Sequence, residues 1–362
     1  MSLGAASSWP GHGGRAAPLL ARYGLPADYP LIDFSANLNP LGPPPWLGDW
    51  LAGAAECLTR YPDPDDDRAR RAIAEHEGVA PERVLVTAGG AEAIFLAAGL
   101  HAGGRALIVQ PTFSEYARAC AHYGLGVSSL ALNGEAFRLD VDAAERAMVA
   151  AEVLFLCRPN NPTGTLIPRK TIERLLARCD ETGTTLVVDE AFVDFTENDE
   201  RLTSLLAESP NLLLLRSLTK LYDLPGLRLG YLLGATETVA RLAERQLPWS
   251  VNALALELVA PLLADADYLA RTRAWLADQR DLPHKVRALG YTVAPAAANF
   301  LLLHGGDAAE TEALFAFLLR RGLLARHTHN FPGLDGRWLR LALRDGRDNA
   351  RLLAALAAWR RG

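Results

Sequence analysis

A lysine and an aspartate follow two apolar runs of this sequence, where side chains are often placed for chemistry. Lys220 comes shortly after the run 212–216, and Asp189 comes directly after the run 185–188. The chain has 34 arginines but only three lysines, so few amines are available as nucleophiles. Lys220 is either a surface ammonium or a desolvated amine suited to Schiff-base chemistry. Asp189 either caps a helix or is a buried carboxylate, which needs a cation or a donor beside it.

Further polar, small and aromatic residues stand at the ends of neighbouring apolar runs. They are Asn161 in the turn 158–164, Gly90 and Ala91 after the run 84–87, Phe113 after the run 106–110, and Arg228 eight residues beyond the lysine. Small residues that open a helix let backbone N–H groups hold a phosphate, although tight turns use glycine in any case. With Lys220 and Asp189, this set supplies what pyridoxal 5′-phosphate (PLP) needs: an amine for its aldehyde, a carboxylate for its ring nitrogen and donors for its phosphate.

The chain that positions these residues alternates short apolar runs with helical patterns. Seven runs predict strands, at 84–87, 106–110, 127–132, 153–157, 185–188, 212–216 and 229–233. Helical patterns lie between several of them, at 91–101, 114–123 and 168–181. The alternation predicts an α/β fold with a mainly parallel, seven-stranded sheet covered on both faces. Ligands of such sheets bind at the carboxyl ends of the strands, which is where the residues above lie.

The pattern divides the chain into three parts. Residues 1–50 look irregular and predict an N-terminal arm, residues 51–250 predict the large α/β domain, and residues 251–362 predict a smaller C-terminal α+β domain. In this last part we expect helices at 253–264, 268–289, 309–321 and from 348, and strands at 299–303, 323–326 and 338–343.

Length and composition favour a soluble enzyme. The chain has 362 residues, a formal net charge of −5 and 50% hydrophobic residues, which is enough for a large core. A mildly acidic chain without a basic block gives no electrostatic reason to expect nucleic acid or a membrane as partner. Four scattered cysteines without CxxC pairing predict no metal site. Because the start lacks a signal-peptide pattern and the apolar runs are too short to span a bilayer, we expect a cytoplasmic protein.

The ordered motifs NNPTG, DEAF, SLTK and GLRLGY, between residues 160 and 231, resemble the class I/II aminotransferase superfamily of fold-type I PLP enzymes. The resemblance implies that Asn161 contacts O3′ of the cofactor, that Asp189 pairs with the ring nitrogen and that Lys220 binds the aldehyde carbon. The other implied cofactor contacts are phosphate contacts from Ser217, Thr219, Arg228 and the amides of Gly90 and Ala91, and stacking by Phe113. Tyr61, in the sequence RYPD, resembles a tyrosine that reaches the cofactor phosphate of a partner subunit, which implies a homodimer.

Longer stretches resemble one branch of the superfamily, the L-threonine-O-3-phosphate decarboxylases of cobalamin biosynthesis. They are GHGG at 11–14, DFSANLNPLG at 33–42, DEAFVDF at 189–195, LRSLTK at 215–220, PWSVNA at 248–253 and FPGLD at 331–335. This resemblance implies decarboxylation of L-threonine O-3-phosphate to (R)-1-aminopropan-2-yl phosphate and CO2. The substrate contacts that it implies are the arginines Arg340 and Arg326, the arm residues His12 and Asn37, and Asn161, with His327 and His329 as further candidates.

Two other functions stay open at this point. The motifs RYPDP and NNPTG and the C-terminal arginines also resemble histidinol-phosphate aminotransferases, which would transfer an amino group to 2-oxoglutarate. A non-catalytic PLP-binding protein is the third possibility, although Lys220, Asp189 and Asn161 are all present. Phe192 favours the decarboxylase branch. The superfamily usually has tyrosine three residues after the aspartate, as a partner of O3′, whereas the decarboxylases also have phenylalanine there.

Overall fold

Short apolar runs form the strands of this protein. The structure is a computed structural model that describes residues 9–362. The strands in this range are β1 (Ile32–Asp33), β2 (Val84–Thr87), β3 (Arg105–Gln110), β4 (Gly126–Ala131), β5 (Val153–Cys157), β6 (Thr185–Asp189), β7 (Leu212–Ser217), β8 (Gly230–Leu233), β9 (Phe300–His304), β10 (Leu323–Leu324), β11 (Arg326–His327) and β12 (Trp338–Ala342). Every residue of β2, β5, β7 and β8 is buried, as expected for strands covered on both faces.

The strands from β2 to β8 form one central sheet. Their order is β2-β8-β7-β6-β5-β3-β4, and all pairs are parallel except those that β8 makes with β2 and β7. This confirms the mainly parallel, seven-stranded sheet predicted from the sequence. Because β5, β6 and β7 are neighbours, Asn161 after β5, Asp189 at the end of β6 and Lys220 after β7 meet at one edge of the sheet.

Alternate residues of each strand pack on opposite faces of the sheet. In β6, Leu186 and Val188 belong to one buried cluster and Val187 belongs to the other. Since side chains of a strand alternate with a period of two, Asp189 points to the same face as Val187. The cluster on that face also contains Tyr116, which becomes important below.

Helices cover both faces of the sheet. The α-helices within residues 9–362 are α1 (Ala16–Arg22), α2 (Leu47–Gly53), α3 (Asp67–Glu77), α4 (Gly90–Gly99), α5 (Glu115–His122), α6 (Val141–Met148), α7 (Arg169–Thr182), α8 (Leu218–Leu221), α9 (Thr236–Ala243), α10 (Ala253–Ala264), α11 (Ala266–Gln279), α12 (Leu282–Ala288), α13 (Ala308–Leu319) and α14 (Gly346–Arg360). Several begin at side-chain caps, such as Asp140, Asn252 and Asp307, that accept a backbone N–H of the first turn. Within residues 9–362, no helix has the length and apolar character needed to cross a bilayer.

The C-terminal part has a smaller antiparallel sheet in the order β11-β12-β9. The N-terminal segment is tied to this part of the molecule. Strand β1 pairs in parallel with β10, with Ile32 opposite Leu323, and Phe34 O accepts a hydrogen bond from Ala342 N at 2.8 Å. The division of the chain near residues 50 and 250 stays a prediction.

Three local predictions are wrong. Helix α1 lies in the segment expected to be irregular; its residues Leu19 and Leu20 are buried, and Pro18 stands in the first turn, where no N–H is needed. The helix expected over 268–289 is divided into α11 and α12, because Pro283 lacks the N–H that a continuous helix requires there. The strand expected over 323–326 is divided into β10 and β11, which pair with different strands.

Candidate active site

Lys220 lies in the short helix α8, directly after β7, with its amine in a partly buried position. Burial lowers the pKa of the ammonium from 10.5 to about 8; the charges of Arg228 and Arg340 act in the same direction and that of Asp189 opposes them. Its Nζ donates a hydrogen bond to Thr219 Oγ1 at 3.2 Å. Of the two alternatives that the sequence left open, the desolvated amine is therefore the one found, and it is suited to nucleophilic attack on a carbonyl carbon.

Asp189 ends β6 as a buried carboxylate, and no α-helix begins at it. Tyr116 Oη donates to its Oδ2 at 2.7 Å, and Ala191 N donates to its Oδ1 at 3.0 Å. Burial raises the pKa of the carboxyl group, whereas the two hydrogen bonds and the charge of Lys220 lower it. The carboxylate thus lies in a desolvated place with neutral donors, and it can accept a further hydrogen bond from a ligand.

Gly89 and Gly90 form a turn of bare backbone between β2 and α4. Gly89 has a φ of +81°, and a Cβ at this residue would stand 2.6 Å from Arg228 Nη2. Gly230 of β8 packs on the other side of the turn, since a Cβ there would stand 3.0 Å from the Gly89 carbonyl carbon and 3.1 Å from Gly90 N. The Arg228 guanidinium therefore lies at the start of an α-helix, an arrangement that favours a bound anion.

Three more of the predicted phosphate contacts adjoin this turn and the lysine. Ser217 and Thr219 are buried, and their hydroxyl oxygens share a hydrogen bond of 2.7 Å. Ala91 follows Gly90 in the first turn of α4, where backbone N–H groups have no acceptor within the helix. Together with Arg228, these groups offer hydroxyl, amide and guanidinium donors to one anion.

The two asparagines in the turn after β5 have different roles. Asn160 belongs to the scaffold, because its Oδ1 accepts from Thr112 Oγ1 at 3.1 Å and its Nδ2 donates to Pro111 O at 2.9 Å. Asn161 instead accepts a hydrogen bond from Arg340 Nη1 through its Oδ1. Asn161 is therefore the asparagine of this turn that faces a functional side chain.

Arg326 and Arg340 are buried and stand opposite each other on β11 and β12. Arg340 Nη2 donates to Ser35 O at 2.6 Å, while its Nε has no partner within residues 9–362. Arg326 Nη2 donates to Gly11 O and to Asn330 Oδ1, both at 2.7 Å. Burial lowers the pKa of Arg340 to about 9 and that of Arg326 to about 10. Two buried guanidiniums side by side attract an anionic ligand.

His12 and Asn37, the predicted substrate contacts of the arm, differ in their surroundings. His12 Nε2 lies 3.2 Å from Glu115 Oε1 of α5, and its ring centroid is 5.9 Å from that of Phe113. Asn37 is 5% exposed, and neither its Oδ1 nor its Nδ2 has a partner among the residues described. A buried amide without partners is destabilising unless a ligand or water satisfies it, so Asn37 is suited to bind a ligand.

His327 and His329 contribute to the packing of the arm. Their ring centroids lie 4.4 and 4.5 Å from that of Trp9. Burial, and then the charge of Arg326, lowers the pKa of His327 to about 2, so this ring is uncharged. As an uncharged ring packed on Trp9, His327 offers a bound anion no positive charge.

Tyr61 is a predicted cofactor contact whose side chain extends into solvent, and Arg228 is also exposed. Tyr61 is 82% exposed, and its ring centroid is 4.9 Å from that of Trp249, itself 53% exposed. Among residues 9–362, the ring contact of Tyr61 is with Trp249, which is not a predicted site residue. Its predicted role therefore requires a second subunit.

Three further residues near the site, Tyr116, Glu115 and Asn39, are not predicted from the sequence. Asn39 holds the lysine turn, because its N–H donates to Lys220 O at 3.2 Å and its Nδ2 donates to Leu221 O at 2.9 Å. Tyr116 carries no local signal in the sequence, because its partner Asp189 lies 73 residues away.

This arrangement fits PLP. The amine of Lys220, the carboxylate of Asp189 and the anion-binding turn at Gly89 lie at one edge of the sheet. The side-chain amide of Asn37 and Nε of Arg340 have no partner among residues 9–362 and can bind a polar ligand. Among residues 9–362, no group of three or more His, Cys, Asp or Glu side chains is placed to hold a metal ion. With an amine, a carboxylate and an anion-binding turn, the donor set suits an anionic organic cofactor.

Comparison with known proteins gives the same result. Residues 29–356 match the family Aminotransferase class I and II. A threonine-phosphate decarboxylase of Salmonella typhimurium is 38% identical over 349 residues, which are 95% of each chain. A histidinol-phosphate aminotransferase of Desulfitobacterium hafniense is 34% identical over 335 residues, 90% of this chain and 91% of that one. The crystal structure of an L-threonine-O-3-phosphate decarboxylase from Porphyromonas gingivalis is 30% identical, covers 91% of this chain and 99% of its own, and has a TM-score of 0.80. The chain belongs to the class I and II aminotransferase family of PLP-dependent enzymes.

Proposed function

We propose that this protein is a PLP-dependent carboxy-lyase that converts L-threonine O-3-phosphate to (R)-1-aminopropan-2-yl phosphate and CO2. The observation that carries the proposal is the pair of buried arginines, Arg326 and Arg340, opposite each other on β11 and β12. The substrate has a carboxylate and a phosphate, so it needs cations beyond the one that holds the cofactor phosphate. Similarity to two decarboxylases over at least 91% of this chain supports the same substrate.

Lys220, Asp189 and Arg228 are the residues that would hold and activate the cofactor. When bound, PLP supplies an electron sink for the pair left on the α-carbon when CO2 departs. Lys220 would provide the amine that anchors the cofactor and that is available to hold it again after the product leaves. Asp189 holds a proton at the ring nitrogen, and Arg228, with the N–H groups of Gly90 and Ala91, binds the cofactor phosphate.

Decarboxylation and amino transfer differ in which bond to the α-carbon is aligned for cleavage. The side chains that grip the substrate carboxylate therefore select the reaction. Arg340 is fixed by hydrogen bonds to Asn161 and Ser35, and its Nε has no partner among residues 9–362, so it is the residue proposed to hold that carboxylate. Arg326, with His12 and Asn37 on the arm, is proposed to hold the substrate phosphate.

Phe192 is consistent with this proposal. Its side chain is buried, and its ring packs edge-on against Phe300, with centroids 5.0 Å apart. No hydroxyl from this position can reach the cofactor, which leaves Asn161 as the main partner of O3′.

The experiment that tests the proposal is an assay of PLP-loaded protein with L-threonine O-3-phosphate and no keto acid, in which CO2 and aminopropanol phosphate are measured. A parallel assay contains histidinol phosphate and 2-oxoglutarate. Release of CO2 in the first assay is the expected result. Glutamate formation in the second assay, without CO2 in the first, would contradict the proposal and show that the protein is an aminotransferase.

Amino transfer is the second candidate, because a histidinol-phosphate aminotransferase is similar over 90% of this chain. A non-catalytic PLP protein is the third candidate; it would bind the cofactor but show no spectral change with either substrate. The presence of Lys220, Asp189 and Asn161 together argues against this third candidate.

We further propose a homodimer in which Tyr61 reaches the cofactor phosphate of the partner, and a role in cobalamin side-chain synthesis. The exposed ring of Tyr61 beside Trp249 supports the first proposal. The names of the similar decarboxylases support the second one. The cytoplasmic location stays a prediction.

A further inference from the structure

Tyr116 of α5 is a buried phenol whose hydroxyl is directed at the carboxylate of Asp189. The O–H donates to Oδ2 at 2.7 Å, and the side chain has no exposed surface. Its ring stacks on that of Phe155, with centroids 5.6 Å apart and 13° between the planes. Burial, together with the negative charge of Asp189, raises the pKa of the phenol well above 10. The hydroxyl therefore stays protonated and remains a donor.

The other groups that face Asp189 come from three further elements. Ala191 N donates to Oδ1, the Lys220 ammonium contributes charge from α8, and the Cys157 thiol lies at the end of β5. Burial raises the pKa of Cys157, so its thiol is neutral. Among residues 9–362, Tyr116 is thus the only side chain that donates a hydrogen bond to this carboxylate. Each carboxylate oxygen can accept two hydrogen bonds, so acceptor capacity remains for a ring N–H.

We propose that Tyr116 is a positioning residue that keeps Asp189 oriented and ionised, so that the shared proton resides on the ring nitrogen of the bound cofactor. This inference rests on the proposed PLP site. A hydrogen bond to the charged form of a buried carboxyl favours that form. Without the phenol, burial would favour a neutral carboxyl, and the proton would move from the nitrogen to Asp189.

The test compares Tyr116→Phe with Tyr291→Phe. The first substitution removes the hydroxyl and keeps the stacked ring. The second is a matched control, because Tyr291 is also a buried phenol but donates to Leu356 O at 3.1 Å, in the C-terminal part. Apo-proteins are titrated with PLP that carries 15N at the ring nitrogen. Affinity is followed by fluorescence, and protonation of the nitrogen is followed by 15N NMR.

We expect Tyr116→Phe to bind PLP about tenfold more weakly, as for loss of one hydrogen bond to a charged group. Its nitrogen signal should shift toward the unprotonated position, while Tyr291→Phe should match the wild-type protein in both respects. A protonated nitrogen in Tyr116→Phe would overturn the inference whatever the affinity, because the phenol would then act only in packing.

A second variant and the assay without substrate keep the result interpretable. Tyr116→His restores an N–H donor and should restore the protonated ring nitrogen. The inference fails if Tyr116→His gives the same 15N signal as Tyr116→Phe. It also fails if the two variants differ from wild type only in unfolding temperature. Wild-type protein that binds PLP with a protonated nitrogen but releases no CO2 would overturn the proposed reaction and leave this inference supported. Wild-type protein that does not bind PLP would overturn both.

Discussion

At the scale of single residues, Lys220 differs from the other two lysines of the chain in its surroundings. Lys170 and Lys285 are exposed, and Lys285 Nζ lies 3.5 Å from Asp281. The Lys220 amine is desolvated and has a pKa of about 8. Because an amine attacks a carbonyl carbon only when it is uncharged, the structure favours this lysine as the one that carries the cofactor.

Lys220→Ala should abolish both turnover and covalent attachment of PLP. When PLP-treated wild-type protein is reduced with borohydride, the cofactor should stay covalently bound to the peptide that contains Lys220. Peptide mass spectrometry measures this as added mass on that peptide. Lys285→Ala is the control and should keep both the label and the CO2 release. Near-normal turnover of purified Lys220→Ala would contradict the role assigned to this lysine.

The pKa of Lys220 also sets a pH dependence for cofactor capture by the apo-protein. Since the folded protein lowers this pKa from 10.5 to about 8, the ammonium loses its proton as pH rises through about 8. The association rate with PLP should therefore rise across that range and become level well before pH 10.5. Stopped-flow absorbance measures this association rate. The same measurement with N-acetyl-lysine amide shows how titration of PLP itself affects the rate. A rate that follows the model amine up to pH 10.5 would show that Lys220 is solvated.

Arg340 should tolerate lysine poorly. Its guanidinium donates to Asn161 Oδ1 and Ser35 O, and within the part of the chain that the structure describes its Nε stays available for a ligand, which a single ammonium cannot reproduce. Arg340→Lys is expected to raise the KM for L-threonine O-3-phosphate roughly 10- to 100-fold, as for loss of one charged hydrogen bond. Steady-state kinetics measure this, and the exposed Arg337 in Arg337→Lys is the control. A KM within about twofold of wild type would remove Arg340 from the substrate site.

At the scale of helices and strands, sequence patterns predicted the elements whose signal is local. The runs behind β5, β6 and β7 are continuous and apolar, so both the strands and the residues that follow them were predicted. Helix α1 was not predicted because its apolar pattern consists of only two residues, Leu19 and Leu20, in a segment rich in proline and glycine. Tyr116 was missed because its partner Asp189 is distant in sequence, and local periodicity does not record such a contact.

Strand β8 is the element through which a small change should reach the cofactor site. A Cβ on Gly230 would stand 2.7 Å from Arg216 O and close to the Gly89–Gly90 turn. These neighbours are backbone atoms, which cannot move without displacing the chain around them. Gly230→Ala should therefore displace the phosphate-binding turn, weaken PLP binding about tenfold and lower the unfolding temperature.

Gly226→Ala is the matched control for this substitution, since a Cβ at Gly226 would have no atom within 4 Å. Fluorescence titration with PLP and thermal unfolding of both variants provide the comparison. Equal PLP affinity in the two alanine variants would show that the turn does not need the close approach of β8.

At the scale of the whole molecule, the arm joins parts of the chain that are far apart in sequence. Arg326 donates to Gly11 O, whereas His12 lies beside Glu115 of α5, so residues 11–12 contact both the C-terminal part and the large sheet's helices. The arm itself was predicted from its composition. Its attachment could not be predicted, because the partners of the arm, Glu115 and Arg326, lie about 100 and 300 residues away in sequence. Local sequence patterns carry no information about such distant contacts.

The exposed apolar surface at Tyr61 and Trp249 leads to a prediction about assembly. Leu247 is also 75% exposed, and large exposed apolar side chains close in sequence or space are typical of interfaces. If this surface meets a second copy, Trp249→Glu places a charge at the interface and should shift the protein from dimer to monomer in sedimentation velocity. Cofactor affinity should fall with it, because each site would lose the partner's Tyr61. Val149→Glu, at another exposed apolar residue, should change neither property. A Trp249→Glu protein that is monomeric yet binds PLP as tightly as Val149→Glu would show that each chain completes its own site, and Tyr61 would then have no part in it.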